Sequence, residues 1–167
     1  MIDTTDKTLF ETARARLLVH QAGQVRTCIE ALNEGQLWWR ANEASNTIGN
    51  LVLHLCGSTR FYIGHCVGNK GYVRDRDAEF AEQASVTKED LLARFDATVA
   101  EARLVLTDFN EPRLGETTDL TGTTVTYGEL ILNQVLHFTA HAGQIVYATK
   151  LIQTGVIDEV WTTTPMG

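Results

Sequence analysis

Four stretches of this sequence repeat their apolar residues at helical spacing, and this periodicity limits the fold more than any other feature. The first stretch covers residues 5–32, and the second runs from an N-cap at Ser45 or Asn46 to about Gly68. A helix with one apolar face must bury that face against other elements. The pattern therefore predicts an all-α fold.

Capping sequences open the third and fourth predicted helices. Thr87 and Asp90 form a T-x-x-D variant of the capping box, and the helix that follows ends near Pro112. Thr126 and Glu129 form a T-x-x-E box, after which the apolar pattern continues to about residue 152. Four helices of this length predict a four-helix bundle.

The connections between the helices differ from them in composition. Residues 68–85 are polar and rich in turn-forming residues, which predicts a connecting loop. Residues 114–126 are rich in threonine with Gly122 near the middle, which predicts two short strands or an extended loop. The C-terminal tail, with Trp161 and Pro165, is expected to be irregular.

Length and composition predict one globular domain over residues 1–167. A chain of 167 residues can bury a full hydrophobic core, and 44% hydrophobic with 21% charged residues exclude disordered and low-complexity classes. The net charge of −7 and the scattered basic residues argue against a nucleic-acid partner.

The lack of a recognisable targeting signal, together with the cysteine usage, predicts a cytoplasmic protein. The N-terminus lacks a basic region followed by an apolar one, and no apolar run approaches the roughly 20 residues that span a bilayer. Neither export nor a membrane partner is expected. Cys28, Cys56 and Cys66 are an odd number without a CxxC pair, which favours a reducing compartment over a disulfide framework or a thiolate zinc site.

The sharpest chemical signal is the pair His137 and His141 on the fourth helix. Residues four apart differ by about 40° in azimuth and roughly 6 Å along the axis, so both imidazoles can reach one ion. Such a pair also occurs among ordinary core and surface residues, so two histidines alone are weak evidence for a metal site. A third ligand is needed.

His54 is the best third ligand. It lies on the second helix between Asn50 and Ser58, which form a polar strip one turn before and one turn after it. His65 lies roughly 16 Å further along the same axis and cannot share an ion with His54. His20 lies to the side of the apolar stripe of the first helix.

The alternative is a set of ordinary histidines, with His54 hydrogen-bonded in the core. Neutral imidazoles are costly to bury without partners, and an ion would give three of them a common partner. Three neutral ligands would leave the ion its charge and at least one open position, which is typical of a catalytic site. Further residues predicted to contact the ligands or the substrate are Asn50, Gln134, Gln144 and Gln21.

Three sequence segments together resemble the DinB/YfiT-like superfamily and, within it, the DUF1572-type branch. They are NTIGNLVLHLCG at residues 46–57, RDRDAEF at 74–80 and HFTAHAGQ at 137–144. The resemblance implies an antiparallel four-helix bundle with a long connection and frequent homodimers. It also implies a divalent ion bound by His54, His137 and His141. Some relatives transfer low-molecular-weight thiols, one group isomerises maleylpyruvate with mycothiol, and others carry the label of metal-dependent hydrolases.

Two classes of function remain open at this point. The first is an enzyme in which a divalent ion, zinc or nickel with iron as a third candidate, activates a small thiol toward an electrophile or activates water for hydrolysis. No glutamate or aspartate base stands out in the sequence beside the histidines, which favours the thiol. The second is a non-catalytic dimeric metal-binding or stress-response bundle.

Overall fold

The fold is mostly helical, with one small sheet before the last helix. The computed structural model describes residues 4–82, 84–155 and 157, so Trp161 and Pro165 lie outside the described residues. Its elements in chain order are α1 (Thr4–Ala15), α2 (Ala22–Ala31), α3 (Glu34–Leu37), α4 (Ile48–Thr59), α5 (Arg76–Ala81), α6 (Lys88–Asp108), β1 (Thr117–Leu120), β2 (Thr123–Thr126) and α7 (Tyr127–Ile152).

Wider π-helical turns extend the first two helical stretches. Residues Arg16–Gln21 join α1 to α2, and residues Arg60–Val67 continue α4. The N–H of Gly68, for example, bonds to the carbonyl of Ile63, five residues back. The first and second periodic stretches are therefore continuous helices, as the apolar spacing predicts.

The start of the second helix differs from the prediction. The N-cap is Thr47, not Ser45 or Asn46, because Thr47 has an extended backbone and its hydroxyl accepts the N–H of Asn50. At the fourth helix the predicted capping box of Thr126 and Glu129 is present.

The segment 68–85, predicted as a loop, contains the short helix α5. The carboxylate of Asp75 accepts the N–H of Ala78 and caps this helix. The loop prediction was wrong here because it relied on the polar composition of the segment and did not take Asp75 as a helix cap.

The threonine-rich stretch forms a hairpin. Strands β1 and β2 pair in antiparallel register, with Thr117 opposite Thr126 and Leu120 opposite Thr123. Thr121 and Gly122 turn the chain with positive φ angles of 51° and 88°. The predicted pair of short strands is confirmed.

Helix α4 lies at the centre of the packing and positions the candidate site. It contacts α5, α6 and α7, while α7 also packs against α2. Eleven of its twelve residues are buried, His54 among them at 4% exposure. In the described part of the chain no helix is both long and apolar enough to cross a membrane.

Candidate metal centre

The structure brings His54 of α4 together with His137 and His141 of α7. One ring nitrogen from each lies within 4.8 Å of the others, an arrangement that could hold a metal ion. The ring centroids are 4.6 to 4.9 Å apart and the ring planes cross at 63° to 83°. Edge-on rings around a common centre suit ligation by ring nitrogens, because the lone pairs lie in the ring planes.

The ring of His54 is held from behind by a carboxylate. Its Nδ1 lies 2.8 Å from Oε2 of Glu79, which is buried at 8% exposure. Nη2 of Arg74 also lies 3.1 Å from Nδ1, but the carboxylate is nearer and only accepts hydrogen bonds, so Nδ1 carries the proton and donates it to Glu79. The Nε2 lone pair of His54 therefore points toward the other two histidines.

Arg74 completes this side of the site. Its Nε donates to Oε1 of Glu79 and its Nη2 to Oε2, each at 2.8 Å. This two-point contact raises the pKa of Arg74 and neutralises the buried carboxylate. The ring of Phe80 packs on His54 with centroids 4.7 Å apart and covers one of its faces.

Gln144 holds the ring of His141 in the same way. Its Oε1 lies 2.7 Å from Nδ1 of His141, so the amide oxygen accepts that proton. The three-residue spacing on α7 places the two side chains on neighbouring turns. Nε2 of His141 is left as the lone-pair donor.

The position of His137 relative to His54 shows whether the three imidazoles fit a metal ion. Its Nε2 lies 2.9 Å from Nε2 of His54, while its Nδ1 is buried without a hydrogen-bond partner. Two nitrogens at about 2.0–2.1 Å from one tetrahedral ion are roughly 3.3 Å apart, which is close to the separation of these two nitrogens. The donor set fits a divalent ion bound by imidazoles.

Burial keeps the histidines in their ligand form. Burial first, and then the neighbouring His141 and His54, together lower the pKa of His137 to about 4. Burial also lowers the pKa of His54, against the opposing effect of Glu79. Both imidazoles are therefore neutral at neutral pH, which is the state that binds metal.

The sequence reasoning missed Glu79 and Arg74. Both lie in the segment predicted as a loop, and Glu79 is 25 residues from the histidine that it contacts. The available signal was Asp75 as a helix cap, which would have placed Glu79 on a short helix. A second signal is general, since a buried histidine ligand needs an acceptor for its other ring nitrogen.

The other residues predicted near the site make different contacts. Asn50 donates to the carbonyls of Glu79 and Glu82, at 3.1 and 3.0 Å, and so fastens α5 to α4. Gln134 donates to the hydroxyl of Thr59 at 2.9 Å, and Gln21 donates to Thr139. Neither glutamine hydrogen bonds to one of the three histidines in the structure. Of the four, Gln144 alone contacts a candidate ligand, while Asn50 holds the segment that carries Glu79.

The remaining histidines and cysteines lie outside the cluster. His65 is exposed, and its Nδ1 lies 2.8 Å from the carbonyl oxygen of Lys70. His20 is half-buried on the π-helical turn of the first helix. Cys56 is buried, and burial raises the pKa of its thiol to about 11. These residues have the ordinary structural roles that the sequence allowed for them.

Comparisons with known proteins agree with this fold. A family model described as "Protein of unknown function (DUF1572)" matches residues 5–164. The structure is similar to that of a DinB-like protein, YjoA, from Bacillus subtilis, with a TM-score of 0.66 and 18% identity over 86% of this chain and 94% of that one. None of the curated proteins matches the sequence. The fold is therefore similar to that of a DinB-like protein, and the chain belongs to the DUF1572 family.

Proposed function

We propose that this protein is a metal-dependent enzyme that activates a low-molecular-weight thiol for transfer to an electrophile. One observation carries the proposal: three imidazoles, each offering a ring nitrogen, converge within 4.8 Å of one another. An imidazole ligand carries no charge, so three of them would leave a divalent ion with its full charge and at least one open position. The architecture proposed for this enzyme is the antiparallel four-helix bundle with a long connection, which the contacts among α2, α4, α6 and α7 support.

The residues of the chain divide the work between binding and orientation. His54, His137 and His141 would hold the ion, while Glu79 and Gln144 orient two of the three rings. A bound divalent ion supplies Lewis acidity, which lowers the pKa of a thiol. The thiol proton passes to solvent and the sulfur forms the new bond to the electrophile. The electron pair of the broken bond leaves with the displaced group.

Hydrolysis is the second candidate function, and the contacts of Glu79 argue against it. A base for water needs a free oxygen within hydrogen-bond reach of the water. Both oxygens of Glu79 are engaged, by Arg74 on one side and by His54 on the other. A thiol with a lowered pKa needs no such base, because its thiolate forms without one.

The identity of the ion and of the partners belongs to the proposal. Zinc and nickel suit three imidazoles, with iron as a third candidate. The proposed reactants are a small thiol and an electrophilic molecule, in the cytoplasm, where the three free cysteines stay reduced.

We also propose a homodimer, with no nucleic-acid or membrane partner. An exposed apolar face on α7 supports the dimer, because large apolar side chains at helical spacing are seldom left in water. This face consists of Leu132, Leu136, Tyr147 and Leu151, which are 46% to 66% exposed.

Elemental analysis tests the metal centre first. Purified wild-type protein should contain close to one ion per chain, and His54→Ala and His137→Ala should lose it. His65→Ala is the matched control, since His65 is an exposed histidine on the same helical stretch as His54. A control that loses the ion while His54→Ala keeps it would overturn the ligand set.

Activity assays then separate the classes of function. Metal-loaded wild-type protein should consume a thiol in the presence of an electrophile, and His141→Ala should not. Wild-type protein that takes up no ion even after reconstitution would favour the non-catalytic dimeric bundle. In that case the histidine variants would lose stability without losing any thiol-dependent activity.

A further inference from the structure

Glu79 is the one carboxylate that hydrogen bonds to the three-histidine cluster in the described part of the chain. Three hydrogen bonds of 2.8 Å fix it, two from Arg74 and one from Nδ1 of His54. The side chain is 8% exposed. A buried carboxylate is costly unless its lone pairs are satisfied, so this group is retained for its contacts.

We infer that Glu79, held in place by Arg74, is a positioning residue that sets the tautomer and the ring orientation of His54 for a metal ion. With its Nδ1 proton donated to Glu79, His54 has only Nε2 left to bind an ion. Partners of this kind typically change metal affinity by about 10- to 100-fold. The inference rests on the proposed metal centre and does not depend on the thiol chemistry.

Helix α4 carries the candidate ligand His54 and also helps to hold Glu79. Asn50, one turn before His54, donates to the backbone carbonyls of Glu79 and Glu82. Its own amide oxygen accepts the hydroxyl of Thr47 at 2.6 Å. The ligand and its carboxylate are thus fixed to the same helix, one directly and one through α5.

Gly57 supplies the space for the carboxylate. It lies one turn after His54, and a Cβ atom at this position would be 1.8 Å from Oε1 of Glu79. The carboxylate cannot stay in place beside any larger residue, because Arg74 and His54 hold it on its other sides. The absence of a side chain at Gly57 therefore leaves the space that the carboxylate occupies when it contacts His54.

Two kinds of variant test the inference through metal binding. Affinity for Zn²⁺ and Co²⁺ is measured by competition with a chelator, and the visible spectrum of bound Co²⁺ reports the ligand geometry. We expect Glu79→Ala to bind about 10- to 100-fold more weakly than wild type and to shift the Co²⁺ spectrum. Glu79→Gln should lose less, because its amide oxygen still accepts from Nδ1 of His54.

Chemical rescue distinguishes positioning from a merely structural role. A cavity of about 550 Å³ borders Glu79 and Gly57, which gives a small carboxylate access to the space left by the substitution. Formate should restore part of the affinity of Glu79→Ala and should leave wild type unchanged, with chloride at equal ionic strength as the control. A general loss of packing would not respond to formate.

Gly57→Ala displaces the carboxylate without removing it. We expect a loss of affinity similar to that of Glu79→Ala and no further loss in the double variant, because both changes break one contact. Gly64→Ala is the matched control: it is a glycine of the same helical stretch whose added Cβ would be 2.7 Å from the partly exposed Glu101. This control should bind metal as wild type does.

The outcomes separate the two claims. Wild-type affinity in both Glu79→Ala and Gly57→Ala, or a loss in Glu79→Ala that formate does not reduce, would overturn the inference and leave the metal centre standing. A wild-type protein that binds neither ion would overturn the metal centre itself. If Glu79→Ala does not fold, Gly57→Ala alone decides, by whether its Co²⁺ spectrum and affinity depart from those of Gly64→Ala.

Discussion

Acidifying the metal-free protein tests the burial of His137 directly. Burial and the two neighbouring histidines lower the pKa of His137 from 6.5 to about 4. In the unfolded chain the same imidazole titrates near its ordinary value of about 6.5. The unfolded state therefore takes up the proton first, and the stability that His137 contributes is complete above about pH 6.5 and is lost as the pH falls toward 4.

The size of the effect follows from this pKa difference. Where the unfolded chain binds one proton more than the folded chain, the free energy of unfolding falls by about 1.4 kcal/mol per pH unit. Between pH 6.5 and 4 this gives an upper bound of about 3 kcal/mol. Since His137 is half-buried, solvent screening reduces this to about 1.5 kcal/mol. For a protein of this size, that corresponds to a fall of roughly 3–6 °C in Tm.

The assay compares melting curves in the presence of a chelator. Wild type and His137→Gln are heated at pH steps from 7 to 4, and the slope of Tm against pH is compared. His137→Gln has no imidazole to protonate at this position, so its Tm should fall by about 3–6 °C less. His65→Gln, which replaces an exposed histidine outside the cluster, is the matched substitution control. Parallel curves for wild type and His137→Gln would refute the reasoning, since His137 would then titrate as an exposed imidazole does.

Three further outcomes follow from single contacts. Asn50→Ala removes the hydrogen bonds that hold α5 and should lower the free energy of unfolding in urea by about 2 kcal/mol, because buried carbonyls lose their donor. A thiol reagent should modify Cys66 in the native protein and leave Cys56 unmodified until unfolding, since Cys56 is buried with a pKa of about 11; equal rates in mass spectrometry would contradict this. Leu136→Glu, in the exposed apolar face of α7, should convert a dimer into a monomer in light scattering, and an unchanged mass would remove that face from the proposed interface.

Much of the fold follows from local signals in the sequence. The apolar spacing predicts four helical stretches, and the capping residues predict where two of them begin, because these features depend on neighbours within one or two turns. The pair His137 and His141 follows from helical spacing in the same way. Helical rise alone predicts that His54 and His65 cannot reach one ion, and the polar strip formed by Asn50 and Ser58 favours His54.

The contacts around His54 could not be predicted in this way. Glu79 reaches its histidine across 25 residues, and Asn50 helps to hold the segment that carries it by binding the carbonyl of Glu79. Both contacts depend on how α4 and α5 pack together, and the apolar periodicity of the sequence does not determine that packing. The polarity of Asn50 predicts a contact with the ligands or the substrate, but its amide group donates to backbone carbonyls and accepts from the hydroxyl of Thr47. The sequence thus predicts the three histidines of the cluster but not the side chains that hold His54.

The position of Glu79 bears on which chemistry the centre can perform. The carboxylate lies behind the ring of His54, on the side away from the nitrogen that faces His137, and Arg74 engages both of its oxygens. A carboxylate so placed can orient a ligand, but the ring of His54 separates its oxygens from a water molecule on the side that faces His137. Its negative charge is also balanced by Arg74, so the net charge of the surrounding protein groups stays near zero. Such a centre would keep the charge of a divalent ion for the incoming reactant, which favours a reactant that becomes an anion by itself, as a thiol does.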